Sequence, residues 1–277
     1  MARSPKIGVL QMTAGFDPAV NAGAIVDALE RAAGEGAAML FTPEMSGLLD
    51  RNRERAGPHI VTEADSPVLA AVRDACARRT AWCALGSLAV RRDDGRWANR
   101  SLLIDAAGNI AARYDKIHMF DVDLASGESW RESNAYVPGE ALAVAQTPAG
   151  RLGLTICYDL RFPALYDALG RAACDVIAIP AAFTVPTGQA HWHILQRARA
   201  IEATAYVVAA AQVGRHADGR TTYGHSLVVD PWGEVVLDMG GDAAGLSFAE
   251  IDPARIAHAR GQIPSLANRR AIPAVGG

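Results

Sequence analysis

Cys157 ends an apolar stretch and comes just before a helix, in Gly153-Leu154-Thr155-Ile156-Cys157-Tyr158-Asp159. A strand-to-helix turn lifts a side chain out of a sheet and points backbone N–H groups at it, as in a nucleophile elbow. Amides at a helix start also favour a thiolate and an oxyanion. Cys76 falls inside a helical stretch, and Cys83 and Cys174 fall inside or beside strands. Cysteines in such places are usually buried, inert small hydrophobes.

A thiol of pKa near 8.5 is only a few per cent thiolate at neutral pH, so a base is needed nearby. The chain has seven histidines, but no spacing singles one out, and a Cys–His protease stays open at this point. His191-Trp192-His193 has an i,i+2 spacing that does not put both rings on one helix face. With no third ligand in sight, a zinc site is not expected there. A carboxylate is the other choice of base. Glu44 follows the apolar stretch 38–41 and by position mirrors Cys157 at the C-terminal edge of a sheet, where α/β sites gather. Partly desolvated, it could exchange protons with a thiol.

Of 27 basic residues only Lys6 and Lys116 are lysine. A chain that otherwise uses arginine points to a need for a compact ammonium, which the planar guanidinium does not replace. Lys116 follows a strand and could donate to a developing oxyanion.

The elements that must position these groups alternate between strand and helix. In the first half, strands are expected at 6–12, 38–41 and 82–90, with helices over 18–33 and from Ser66-Pro67, where serine caps and proline takes the first turn. A hairpin joins 101–105 to 110–114. The second half repeats the order: strand 152–156, helix 162–172, strand 175–180, helix 191–204, strand 206–213 and hairpin 226–236. The hairpins share Ser-Leu-x-x-Asp-x-x-Gly, at Ser101 and at Ser226, and each follows an Asp-Gly-Arg turn, at Asp94 and at Asp218. Two matched halves without a Pro/Gly/Ser-rich linker predict one domain with two similar sheets packed together and helices outside. Residues 131–139, 184–189 and the tail after Ile263 are expected to be irregular.

The three ordered positions resemble the nitrilase superfamily of carbon–nitrogen hydrolases, which uses a Glu–Lys–Cys triad. The motifs read Phe41-Thr42-Pro43-Glu44-Met45, Tyr114-Asp115-Lys116-Ile117-His118 and Leu154-Thr155-Ile156-Cys157-Tyr158-Asp159-Leu160-Arg161-Phe162-Pro163. A second family glutamate matches Glu132 in Arg131-Glu132-Ser133-Asn134, not the nearby Glu128. Thr187-Gly188-Gln189-Ala190-His191-Trp192, the stretch 197–202 and Gly224-His225-Ser226 through Pro231-Trp232-Gly233 are similar too. The likeness runs from Lys6 to Arg270, and ordered motifs are more specific than any one pattern. Within the superfamily the chain most resembles the deaminated glutathione amidase branch. The ω-amidase branch is a near neighbour.

The resemblance implies an α/β fold, a four-layer α-β-β-α sandwich with internal pseudo-two-fold symmetry. It places one domain over 1–270 and a tail over 271–277, with subunits pairing through their helix layers, as a homodimer or larger homo-oligomer. It requires no metal and no organic cofactor. Glu44 would take the Cys157 proton as sulfur attacks an amide carbonyl. Lys116 and the Tyr158 N–H would hold the oxyanion, and water would release the acid from a thioester. Glu132 would orient Lys116 and the amide. The expected substrate is a small carboxylate-bearing primary amide, releasing ammonia. Arg161 is a candidate for that carboxylate unless it pairs with Asp159. Phe183, Thr184, Thr187, His191 and Trp192 are candidates for the pocket wall.

Composition narrows the rest. The chain has 277 residues, half of them hydrophobic and 21% charged, with net charge −3. That excludes wholesale disorder and a basic field for nucleic acid. No apolar run reaches the ~18 residues of a membrane span and the first 15 residues carry no apolar leader, so a cytoplasmic, reducing location is expected. No CxxC pair or finger-type spacing occurs among the four cysteines. Rival readings are an ω-amidase, an N-carbamoyl amino acid hydrolase or a nitrilase on the same fold, and a catalytically silent binding protein.

Overall fold

The first half of the chain builds one sheet and the second half builds another. The computed structural model describes residues 4–123, 127 and 129–273. The strands of the first half are β1 (Lys6–Gln11), β2 (Met39–Phe41), β3 (Trp82–Arg91), β4 (Trp97–Ile104) and β5 (Ile110–Asp115). A small hairpin, β6 (Asp121–Asp123) and β7 (Ser129–Arg131), follows. Then come β8 (Val144–Thr147), β9 (Gly150–Leu154), β10 (Val176–Ala178), β11 (Tyr206–Ala209), β12 (Val213–Arg215) and β13 (Thr221–Tyr223). The last strands are β14 (Leu227–Val229), β15 (Val235–Asp238) and β16 (Gly245–Glu250). Helices are α1 (Pro18–Gly34), α2 (Arg53–Ala56), α3 (Pro67–Arg79), α4 (Pro163–Arg171), α5 (Val185–Ala203) and α6 (Pro253–Gln262).

One sheet runs β16-β1-β2-β3-β4-β5 and the other β8-β9-β10-β11-β14-β15. Read in that order, both show the same pairings: antiparallel, parallel, parallel, antiparallel, antiparallel. Helices occupy matching connections, α1 and α3 in the first half, α4 and α5 in the second. The internal repeat is therefore real, and its pairing order does not depend on the shared hairpin letters.

Strand alternation sets the layers. Ile7 and Val9 of β1 and Met39 and Phe41 of β2 face a core shared with Leu152, Leu154 and Ala178 of the other sheet. The intervening Leu10 and Leu40 face Ile25 and Leu29 of α1 and Val72 of α3. Period 2 in the strands thus feeds two cores from one strand, and each fully buried Leu or Ile contributes about 1.5–3 kcal/mol. The result is the four-layer α-β-β-α sandwich. Gly86 marks a close approach between the halves. A Cβ there would fall on the Thr42 and Pro43 carbonyl oxygens and on Pro180 Cβ.

Caps follow the local chemistry. Ser66 Oγ accepts from Leu69 N at 3.2 Å, with Pro67 opening α3. Asp17 Oδ1 accepts from Ala19 N at 2.9 Å at the start of α1.

Several expected boundaries shift. Residues 184–189 are not a loop: α5 begins at Val185, because Pro186 lies in its first turn, where no N–H is needed. The expected strand 206–213 breaks after Ala209, where Ala211 N donates to Ser226 Oγ and the chain turns into the hairpin β12–β13. The irregular stretch 131–139 holds the end of β7 and a 3₁₀ turn at Glu132–Asn134. Strand β16 and helix α6 follow the second hairpin, where no element was expected, and β16 pairs with β1. Past Ile263 the described residues form no helix or strand. Glu128 and the last residues of the tail, 274–277, lie outside the described residues. Among the described residues, no helix is long and apolar enough to cross a membrane.

Candidate active site

Three strand ends converge on one cavity. Thr155 N donates to Ala178 O and Cys157 N to Pro180 O at 2.9 Å, so parallel pairing runs on past the end of β9. The backbone then reverses at Cys157, whose φ is +48°. A non-glycine residue in that region costs on the order of 1–2 kcal/mol, and such strain gathers at functional turns. A 3₁₀ turn, Cys157–Arg161, separates this elbow from α4. Among the described residues no acceptor takes the Tyr158 N–H.

Asp159 holds the elbow. Its buried carboxylate accepts from Ile156 N at 3.0 Å and from Tyr114 Oη at 2.7 Å. It also accepts from His118 N at 3.1 Å, with His118 Nδ1 at 2.7 Å. Tyr114 and His118 flank Lys116, so one carboxylate ties the lysine segment to the cysteine segment.

Glu44 follows β2. Its Oε1 receives Lys116 Nζ and Asn99 Nδ2, each at 2.9 Å, and its Oε2 receives Ala182 N at 3.0 Å. Glu132 Oε2 receives Lys116 Nζ at 2.8 Å and Phe120 N at 2.7 Å, while Oε1 receives Asn99 Nδ2 at 3.0 Å. Lys116 is only 2% exposed, so its ammonium spends its donors inside the protein. Glu44 does not mirror Cys157 in the repeat: β2 corresponds to β10, and Cys157 follows β9. The two meet because both strands end at the same edge of the packed sheets.

The charges decide the resting state. Burial pushes the Lys116 ammonium down, but Glu132, Glu44 and Cys157 outweigh it and raise it well above the usual lysine range. Burial, and then the negative charge of Glu44, push Cys157 well above the usual thiol range, against the pull of Lys116. The site thus holds a protonated lysine, a neutral thiol and the Glu44 carboxylate around one cavity. Such a group of side chains can deprotonate sulfur during attack and hold an oxyanion on an ammonium.

A carbon-nitrogen hydrolase family model matches residues 6–261. This chain belongs to that family. A deaminated glutathione amidase from Yersinia enterocolitica is 40% identical over 273 residues, covering 98% of this chain and 94% of its own. The NitFhit protein of C. elegans superposes with TM-score 0.89 at 36% identity, over 98% of this hydrolase and 66% of that longer chain. A variant amidase from Nesterenkonia sp. AN1 has TM-score 0.82 at 25% identity and covers 98% of this chain and 95% of its own. Its active-site cysteine carries the acetamide moiety of fluoroacetamide.

In this carbon-nitrogen hydrolase, Glu44, Lys116, Cys157, Glu132, Tyr158, Phe183, Thr184 and Thr187 all line one cavity of about 720 Å³. Arg161, His191 and Trp192 do not line it. Trp192 is fully buried: its Nε1–H donates to His225 O at 2.7 Å and its ring packs on Phe183. His191 lies 3.2 Å from Arg161 Nη1. The alternative pairing of Arg161 with Asp159 does not form, since Asp159 is occupied, and the guanidinium instead lies over the Tyr158 and Phe183 rings.

The cations that do line the cavity are Arg51, Arg53, Arg131 and Arg220, besides Lys116. Arg51 and Arg220 sit 5.1 and 5.0 Å from the Trp130 ring, and among the described residues the buried Trp130 Nε1–H has no partner. Sequence reasoning missed these, and it missed Asn99 and Gln212. Gln212 Nε2 donates to Glu44 O at 3.0 Å and its Oε1 accepts from Ala14 N at 2.9 Å. Asn99 stands beside Arg100 and Ser101 in β4, so its neighbours gave no signal that it is buried.

Proposed function

We propose that this hydrolase is a cysteine-dependent amidase that passes through a thioester, with deaminated glutathione as its most fitting substrate. One observation carries the reading: Lys116 Nζ bridges Glu44 and Glu132 in the cavity that Cys157 opens into. Glu44 accepts the Cys157 proton as sulfur attacks the carbonyl carbon. Lys116 and the Tyr158 N–H hold the oxyanion, a pair in which each donor is worth about 3 kcal/mol. The proton passes from Glu44 to the leaving nitrogen, and water activated by Glu44 then cleaves the thioester. Glu132 and Asn99 keep the ammonium in place.

The names of the relatives and the lining of the cavity support this substrate. Deaminated glutathione has substituted amide nitrogens, so the leaving group is an amine and not the ammonia expected of a primary amide. Its carboxylates call for cations, and Arg51, with the Trp130 Nε1–H, takes the place first given to Arg161. The test measures acid formation by mass spectrometry from deaminated glutathione, α-ketoglutaramate, a carbamoyl amino acid and a nitrile. Faster turnover of any of the last three defeats the substrate reading. Retained turnover in Cys157→Ala defeats the nucleophile, and turnover of none of the four favours a silent binding protein.

The same reading makes residues 1–270 one catalytic unit and the protein a cytoplasmic homodimer. The free cysteines support a reducing compartment. Exposed Ile194 and Ile201 on α5, beside the Trp232-Gly233 turn that packs on Ile201, support pairing through the helix layer.

A further inference from the structure

His193, His225 and Asp238 come together on the side of the second sheet, and none of them lines the catalytic cavity. His193 projects from α5, His225 from the connector between β13 and β14, and Asp238 ends β15. His193 Nε2 is 3.0 Å from Asp238 Oδ2, and His225 Nδ1 is 3.0 Å from Asp238 Oδ1. One nitrogen from each ring and one carboxylate oxygen lie within 4.8 Å of one another.

We propose that these three side chains form a binding site for a zinc-type divalent ion, separate from catalysis. Zn²⁺ takes histidine nitrogen and carboxylate oxygen at about 2.0–2.2 Å, so adjacent donors of a tetrahedral site stand roughly 3.3 Å apart. The two carboxylate–imidazole separations are already close to that, and the two ring nitrogens lie within 4.8 Å of each other. The donor set, two imidazoles and a carboxylate, suits zinc better than the oxygen-seeking calcium or magnesium. The side chains of His193, Asp238 and His225 are 35%, 33% and 25% exposed, which leaves a route in and a fourth position for water.

The surroundings hold the donors in place. Gly240 N donates to Asp238 Oδ1 at 2.9 Å. The His225 ring stacks on Tyr223 with centroids 4.4 Å apart, and its backbone is fixed at φ +52°. Such outer contacts orient metal ligands. The i,i+2 histidine pair of the sequence is thus not the ligand set. Its second member finds partners 32 and 45 residues further on, which spacing along α5 does not reveal.

An ion there would join α5, the β13–β14 connector and β15. These elements lead to Thr184, Thr187 and Thr222 of the cavity wall. The test uses untagged, chelator-stripped full-length protein carrying Cys157→Ala, so that the catalytic thiol cannot take the metal. Calorimetric titration with ZnCl₂ is expected to show one site per chain, with a higher Tm in Zn²⁺ than in chelator. Asp238→Asn and His193→Gln, added singly, are expected to weaken binding at least 30-fold and abolish the Tm rise, with Tm in chelator within a few degrees of the parent. No Zn²⁺ binding by the parent overturns the proposal and leaves an Asp–His clamp. Binding of equal strength in both variants overturns it as well.

Discussion

Lys116 Nζ lies 2.9 Å from Glu44 Oε1, with both groups buried. A lysine held this way is charged before substrate arrives, and its second carboxylate, Glu132, is 2.8 Å away. Attraction between ions out of water is strong, but so is the cost of removing them from it, and such clusters are stable only when all members are present. Burial, and then the Glu44 charge, keep the neighbouring thiol neutral until a carbonyl is ready for attack.

Lys116→Met is therefore expected to lose about 3–5 kcal/mol of stability, because two carboxylates remain buried without their cation. Denaturant unfolding measures it. Lys116→Arg keeps the charge, but its planar fork does not fit the pocket of a compact ammonium. Its kcat should fall by about 10²-fold or more, the cost of a misplaced oxyanion donor. Near-normal turnover in that variant would show that charge alone suffices.

Glu44→Gln separates proton transfer from charge. Burial and the Glu44 carboxylate raise the Cys157 thiol. Removing the negative charge should let the thiol ionise at lower pH. Iodoacetamide labelling of Cys157 at pH 8 is then expected to speed up while amide turnover falls by about 10²-fold or more, the usual range for a lost general base. Labelling and turnover that fall together would point to a positioning role for Glu44.

Asp159 is expected to behave as a positioning residue. Asp159→Ala strands Tyr114 Oη and the Ile156 and His118 N–H groups in the interior, at about 1–3 kcal/mol for each unpaired group. Asp159→Asn keeps the shape and should fold. Its signature is a fall in kcat of about 10-fold or more with KM little changed, since the elbow loosens and the substrate cavity does not.

His216 sets an acid limit. Burial, as the main cause, pushes its pKa below the usual histidine value. Its Nδ1 is 2.8 Å from Ala14 O and its Nε2 2.7 Å from Thr222 Oγ1, which suits a neutral ring donating to the carbonyl. The unfolded chain then binds a proton more readily than the folded one. The stabilisation is complete above about pH 6.5 and is lost as pH falls from there toward the depressed folded value. His216→Gln should flatten that part of the stability–pH curve, read as Tm between pH 7 and pH 5.

Much of this was legible in residue order. Apolar runs of the right length, the prolines opening helices and the paired Asp-Gly-Arg turns are local signals, and local signals report backbone preference. Cys157 at a strand end and the scarcity of lysine were enough to nominate the sulfur and the ammonium, and the resemblance added Glu132. The run 184–189 was misread because proline, threonine and glycine serve turns and first helical turns alike. There Gly188 is required by the Tyr223 ring, which leaves no room for a Cβ.

What tertiary structure alone decided is which distant groups share a wall. Asn99 joins two carboxylates, Arg51 replaces Arg161 at the cavity, Trp192 turns into the core and His193 meets Asp238. Each depends on how two sheets pack and how a helix rotates over its strand. Those are set by the sum of many buried contacts, and no short stretch of residues carries that sum.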